Sequence, residues 1–276
     1  MYPEIGQIGP IHIHSFGLMV ALAFLTANYL FTKEVKRRGY SEEIASVATM
    51  FAFVGGLVGA KLFHLIENYQ EFLADPVDAI FNPGGLTFYG GLILSIVMIY
   101  IYSRRKKIMF MTLADAAAPS LILAYGIGRI GCQLAGDGDY GIPTDLPWAM
   151  GYPNGYVSTL AAKNPELVTY FKQIFPGQPV PVDIPVHPAP VYETLISIFC
   201  FVILWKFRTR PSQAGWLFGM YLILAGLERL GVEFIRINPL YGGLSQAQWI
   251  SIGMILAGSF MMWKLRTLLP PKPATA

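Results

Sequence analysis

Residues able to do chemistry are few in this chain, and the first is an arginine set among glycines. The stretch Ala124-Tyr125-Gly126-Ile127-Gly128-Arg129-Ile130-Gly131-Cys132 closes an apolar run and leads into Gly136-Asp137-Gly138-Asp139-Tyr140-Gly141. A guanidinium near membrane depth is costly without a partner, so Arg129 reads as a functional group. A second arginine, Arg229, stands in another apolar run with Glu228 before it and Glu233 and Arg236 after it. The spacings of four and seven residues put Arg229, Glu233 and Arg236 on one helical face. Such a stripe is expected to face a polar cavity or another helix. Glu193, just inside a further apolar run, needs a donor for the same reason. Lys61 and Arg236 are explained equally well as anchors that snorkel to headgroup level.

Arginine presents a rigid fork of donors that matches a phosphate diester. Two arginines from different helices can hold a phospholipid headgroup while its acyl chains stay in lipid, with nearby acids orienting the guanidinium groups. The other reading of the same residues is an interhelical salt-bridge network. No Walker loop, GxSxG elbow, HExxH helix or zinc-like Cys/His cluster is present, so the acceptor is expected to bring its own nucleophile. Cys132 and Cys200 lack ligand spacing, so neither a metal nor another cofactor is expected. Cys132 reads as a small packing residue beside Arg129, or else as a covalent acceptor.

The elements that must position these groups follow from composition. Among 276 residues, 54% are hydrophobic and only 13% charged, against about a quarter charged in soluble domains. Apolar runs approach the roughly 20 residues that cross a bilayer. The expected class is therefore an all-α polytopic membrane protein, built as a single integral-membrane domain over residues 1–276. A net charge of +3 points to no nucleic acid. Seven spans are expected at Ile13–Phe31, Ala45–Ile66, Leu86–Tyr102, Met109–Ile130, Ala189–Phe207, Trp216–Phe234 and Ala247–Trp263. Met1 to Pro10 lacks a basic stretch, so the first span is expected to stay in the mature protein.

Fourteen of the 20 Lys and Arg follow spans one, three, five and seven: Lys33, Lys36, Arg37, Arg38, Arg104 to Lys107, Lys206, Arg208, Arg210, Lys264, Arg266 and Lys272. The positive-inside rule makes that side cytoplasmic, with the N-terminus periplasmic and the C-terminus cytoplasmic. Gly55, Gly56 and Gly59 suit close helix packing. Two glycine pairs bracket Phe88-Tyr89 and suggest an irregular start to the third span. There Tyr89 sits near the outer surface, as a belt residue or as a functional one. Residues 135–188, rich in Pro, Gly and Tyr, form an expected small periplasmic head, with Pro165–Phe175 a short helix.

Several short motifs in order on this frame resemble the prolipoprotein diacylglyceryl transferase family of bacterial inner membranes. They are His14-Ser15-Phe16-Gly17-Leu18-Met19, Phe72-Leu73-Ala74-Asp75-Pro76, Gly84 to Gly91, Gly128-Arg129-Ile130-Gly131, His187-Pro188 with Tyr192-Glu193, Arg229 with Val232-Glu233-Phe234, and Leu244-Ser245 with Gln248. The resemblance implies transfer of an sn-1,2-diacylglyceryl group from phosphatidylglycerol to the lipobox cysteine of a prolipoprotein signal peptide, on the outer leaflet of the inner membrane. It places the phosphate-binding arginine on Arg129, the essential arginine of span six on Arg229, and the acid one turn later on Glu233. The signature acid falls on Asp137 and the closing glycine on Gly141. Phospholipid would thus be held by Arg129, Arg229, Gly141 and Glu193, with Tyr89, Glu233 or His187 relaying the thiol proton. The chain departs from the family at Phe16 (usually Tyr), Cys132 (usually Asn) and Tyr89 (often His). These departures also admit a lipid-binding or lipid-moving paralogue without transfer. A small anion transporter is a further alternative, against which no inverted repeat of broken helices is seen.

Overall fold

The computed structural model describes residues 1–276 except 10, 83, 211, 212 and 267–276, and only the backbone of residues 8, 11, 71 and 266. Lys272, counted above with the basic residues after the last span, lies outside the described residues. The chain opens with an antiparallel pair, β1 (Glu4–Ile8) and β2 (Ile11–His14), in which Glu4 lies opposite His14. Then come α1 (Ser15–Arg37), α2 (Glu42–Glu67), the short α3 (Tyr69–Ala74) and α4 (Pro76–Phe81), α5 (Phe88–Arg105) and α6 (Phe110–Ala135). After these follow α7 (Pro165–Ile174), α8 (Ala189–Phe207), α9 (Trp216–Glu233), the pair β3 (Leu240–Tyr241) and β4 (Leu244–Ser245), and α10 (Gln246–Arg266).

Each expected span falls on one long helix, with ends moved by a few residues. α5 starts at Phe88 rather than Leu86, which puts Tyr89 in its first turn. The two strand pairs depart from the purely helical expectation. For β3–β4 the cue was present: Gly242 and Gly243 take φ of +62° and +86°, as a two-residue hairpin turn requires.

α1, α2, α6 and α8 are long and apolar enough to cross a membrane. α9 carries Glu228, Arg229 and Glu233 within its 18 residues, which sets it apart from those four. On α1 the residues Leu18, Leu22, Leu25 and Tyr29 are exposed at three- and four-residue spacing. That is an apolar stripe suited to lipid, on a helix that satisfies its own backbone. This is a membrane protein.

The chain divides into two compact units, residues 1–27 with 118–276 and residues 28–117, whose boundaries fall inside α1 and α6. In the smaller unit, α2 and α5 meet through small residues. A methyl group on Gly55 would stand 2.9 Å from Ser95 Cα, and one on Gly91 2.6 Å from the Gly56 carbonyl, so backbone packs on backbone there. Phe31, Val35, Ile44, Tyr102 and Leu113 form this unit's core.

In the larger unit, Ile122, Cys200, Leu204 and Leu217 pack α6, α8 and α9 together. The segment expected as a head has a core of its own, from Tyr140, Tyr152, Leu167, Phe171, Ile184 and Val186. Its one helix, α7, starts as its sequence dictates: Asn164 Oδ1 accepts from Leu167 N–H at 3.0 Å, with Pro165 at the first helical position.

Candidate active site

The site is built entirely within the larger unit. α6 carries Arg129, whose guanidinium lies 4.9 Å from the Tyr125 ring centroid one turn earlier. Its Nε stands 3.2 Å from Glu193 Oε2, and its Nη1 is 3.7 Å from Cys132 Sγ. Glu193 arrives from α8, which begins with Pro190 in its first turn, where a missing N–H costs nothing. The Glu193 side chain is 0% exposed. Its Oε1 accepts from the Tyr125 hydroxyl at 2.7 Å and from Arg229 Nη1 at 3.0 Å, with Arg236 Nη1 at 3.7 Å. One buried carboxylate therefore gathers three guanidinium groups. A charge so deeply buried is tolerated only because it is paired and hydrogen-bonded.

α9 supplies Arg229 and, one turn on, Glu233, whose Oε2 is 3.2 Å from Arg229 Nη2. Glu233 Oε1 accepts from Asn238 Nδ2 at 2.6 Å and Ser245 Oγ at 2.7 Å. Ser245 also caps α10. Its Oγ accepts from Gln248 N–H at 3.2 Å, and its own N–H donates to Gln248 Oε1 at 2.9 Å, a reciprocal capping box. The Ser245 and Gln248 motif thus ties the start of α10 to the acid that orients Arg229.

Arg236 is buried among the acids rather than extended outward as an anchor, and it lies past the end of α9, with its Nε 3.9 Å from Glu233 Oε2. The helix ends at Glu233, and Arg236 lies beyond it with its side chain only 8% exposed. It is held there by backbone pairing with the Gly141 strand segment. Gly141 N–H donates to the His187 carbonyl at 2.8 Å and Ile142 N–H to the Ile235 carbonyl at 2.7 Å. A methyl group on Gly141 would meet Ile235 O at 2.5 Å and His187 Cβ at 2.9 Å, so only glycine lets these segments close. Gly141 shapes the site through its backbone.

The acid that pairs with the arginines from the glycine-rich turn is Asp139, where the resemblance pointed to Asp137. Arg129 Nη1 and Arg236 Nη2 each pair with one oxygen of Asp139. Gly136 and Gly138, with φ of +60° and +94°, turn the chain so that the second acid faces the cluster. Asp137 instead accepts from the Asp139 N–H at 3.3 Å. Their electrostatics diverge accordingly. Burial pushes the Asp139 carboxyl up, but Arg236 and Arg129 outweigh it and hold the group below the usual carboxylate value. Burial dominates at Asp137 and raises it. Cys132, Asp137 and Asp139 form the one cluster of metal-type donors among the described residues, with donor atoms within 4.8 Å of one another. Two guanidinium groups already on Asp139 oppose a cation there.

His187 lies in the same unit, with Nδ1 3.3 Å from the Tyr192 hydroxyl, which accepts from Trp148 Nε1 at 2.7 Å. Burial holds its imidazole below its ordinary value, favouring the neutral form. Phe16 and Met19 of α1 close against Gly131, at 3.2 and 3.1 Å from where its Cβ would be. Tyr89 belongs to the smaller unit, where its partly exposed ring meets Phe88 edge-on at 5.7 Å. Lys61 serves that unit too, donating to the Asn82 and Gly84 carbonyls at 2.9 and 3.0 Å. Sequence reasoning thus missed Asp139, Tyr125 and the paired state of Arg236. The usable signals were an Asp two residues past Asp137, and a Tyr one turn before Arg129.

Residues 3–264 match the family model described as prolipoprotein diacylglyceryl transferase. The chain belongs to the prolipoprotein diacylglyceryl transferase family. Among relatives called phosphatidylglycerol–prolipoprotein diacylglyceryl transferase, the Photorhabdus laumondii protein is 34% identical over 273 residues, covering 94% of this chain and 91% of its own. That of Clostridium tetani is 30% identical over 264 residues, covering 95% and 96%. One from Escherichia coli is 33% identical over 282 residues, covering 96% and 93%. Within this diacylglyceryl transferase family, the chain brings an arginine cluster held by buried acids.

Proposed function

We propose that this protein transfers the sn-1,2-diacylglyceryl group of phosphatidylglycerol to the lipobox cysteine of prolipoproteins. The observation that carries the reading is the placement of Arg129 and Arg229, from two helices, on the two oxygens of the buried Glu193. Guanidinium groups fixed in this way are preorganised for the phosphodiester and for the charge that develops as it departs. In the reaction the substrate thiolate attacks the glyceryl carbon bonded to the phosphate oxygen. A C–S thioether forms, the C–O bond breaks with its electron pair going to the phosphate, and glycerol phosphate leaves. The thiol, with an ordinary pKa of about 8.5, must lose its proton first. His187, neutral beside Tyr192, is suited to take it, with the Tyr89 hydroxyl as the second candidate for that role. Glu233 has its oxygens engaged by Asn238, Ser245 and Arg229, which suits it to orienting Arg229. Glu193 orients Arg129 and Arg229 together.

The surrounding arrangement in this reading is seven spans in the bacterial inner membrane, N-terminus periplasmic and C-terminus cytoplasmic, with the arginine cluster toward the outer leaflet. The basic residues in and just after the last turns of α1, α5, α8 and α10 support that orientation. The signal peptide with its lipobox meets the lipid at this level. The test is direct: purified protein, phosphatidylglycerol and a lipobox peptide are incubated and the peptide is weighed. A diacylglyceryl mass gain, lost when the peptide cysteine is replaced by serine, is the expected result. Bound phospholipid without any mass gain would overturn the transfer and leave a lipid-binding protein.

A further inference from the structure

The charges in the arginine cluster are already balanced, and that limits how it can take an anion. Arg129, Arg229 and Arg236 face Asp139, Glu193 and Glu233. Glu228, 5% exposed on the same stretch of α9, adds a further acid whenever it is ionised. No surplus positive charge is available for a phosphodiester. Bringing one in beside three carboxylates would leave a net negative charge in a poorly solvated place, which is unfavourable unless an acid withdraws.

The three acids differ in their freedom to do so. Glu193 and Glu233 side chains are 0% and 1% exposed, and both are held by neutral donors as well as arginines: Tyr125 on Glu193, Asn238 and Ser245 on Glu233. Each sits on a packed helix. Asp139 is 27% exposed and sits on a turn made by two glycines with positive φ. Its two oxygens bridge Arg129 and Arg236, the same kind of fork-to-oxyanion pairing that a phosphate makes.

We propose that Asp139 is the exchangeable counter-ion of the cluster, and that the phosphodiester takes its place on Arg129 and Arg236 while residues 137–139, between the packed Gly136 and Tyr140, swing the carboxylate away. This makes Arg236 a third phosphate ligand and Asp139 a specificity-determining residue, since a headgroup must be anionic to displace it. The inference rests on the reading that the arginines hold the phosphate.

The test titrates dihexanoyl-phosphatidylglycerol into the detergent-purified full chain by calorimetry, comparing wild type, Asp139→Asn and Arg129→Ala. Asp139→Asn is expected to bind about tenfold tighter, about 1.4 kcal/mol, and Arg129→Ala to lose measurable binding. If Arg129→Ala binds like wild type, the phosphate is not on the arginines and both readings fall. If Arg129→Ala loses binding while Asp139→Asn binds no tighter, the exchange is wrong and the phosphate reading stands. Hydrogen exchange on the wild-type protein covers the case of an unstable variant. Saturating it with the same lipid should speed exchange across residues 137–139, and unchanged or slower exchange there overturns the proposal.

Discussion

The Arg229 guanidinium donates to Glu193 Oε1 at 3.0 Å across 36 residues of sequence. The carboxylate is fully buried and also receives Arg129, so both arginines share this one charge while each keeps a second acid, Asp139 or Glu233. Replacing Glu193 by Gln keeps the shape and removes that charge, leaving three clustered arginines with only Asp139 and Glu233. The expected cost is about 3–5 kcal/mol of stability, read by thermal unfolding in detergent. Diacylglyceryl transfer should fall by at least about a hundredfold with it.

Tyr125→Phe separates the hydroxyl from the ring. The hydroxyl donates to Glu193 at 2.7 Å, while the ring carries the Arg129 guanidinium. Phe keeps the ring contact, so the expected loss is only about 1–2 kcal/mol. A loss as large as that of Glu193→Gln, measured in the same unfolding assay, would mean that the ring position itself had changed.

Two glycines near the arginines should respond oppositely. Gly141→Ala forces a methyl group against Ile235 O and His187 Cβ and is expected to destabilise by about 1–3 kcal/mol. A Cβ on Gly128 has nothing within 4 Å, and alanine is the better helix former, so Gly128→Ala should leave the melting temperature unchanged or slightly higher. Equal losses from both would contradict the packing.

The two aspartates predict opposite pH effects on stability. Asp139 is held below its ordinary value, so its contribution is complete above the unfolded value of about 3.9 and is lost as pH falls through the lower folded value. Asp139→Asn should therefore destabilise at pH 7, with the gap closing below about pH 4. Asp137 is raised by burial, so its charged form opposes folding above its folded value, and acidification relieves this. Asp137→Asn should stabilise at pH 7. Melting curves against pH for the two variants check both signs, and a reversed pair would mean that Asp137 carries the arginine pairing.

Transfer itself should distinguish the arginines from the cysteine between them and the turn. Arg129→Lys and Arg229→Lys keep the charge but lose the fork, and each is expected to reduce transfer at least about a hundredfold. Cys132→Ser should retain most activity, because the acceptor thiol belongs to the peptide. An inactive Cys132→Ser, with a lipid adduct on Cys132 in wild type, would replace direct attack by a covalent intermediate. Peptide mass spectrometry reads both.

Much of this protein was legible in its residues. The seven long helices fall on the apolar runs, four of them long and apolar enough to cross a membrane, because a segment must satisfy its own backbone before it can leave water. Arg129, Arg229, Glu193 and Glu233 stood out because a charge in such a run is expensive and needs a partner. The Arg229–Glu233 contact follows from four-residue spacing on one helix. Local rules reached no further. Asp137 and Asp139 are both acids in one glycine-rich turn, and which one meets the arginines depends on the path set by Gly136 and Gly138. Arg236 appeared as a continuation of the α9 stripe, yet the helix stops at Glu233. Its burial comes from the pairing of residues 141 and 142 with residues 235 and 187. The convergence of three arginines on Glu193 likewise joins α6, α8, α9 and a loop. Residue types and spacing determined which groups needed partners, because that cost is local. Only the tertiary structure decided which partners they found, because pairing across tens of residues is set by helix packing and by the close approach that Gly141 permits.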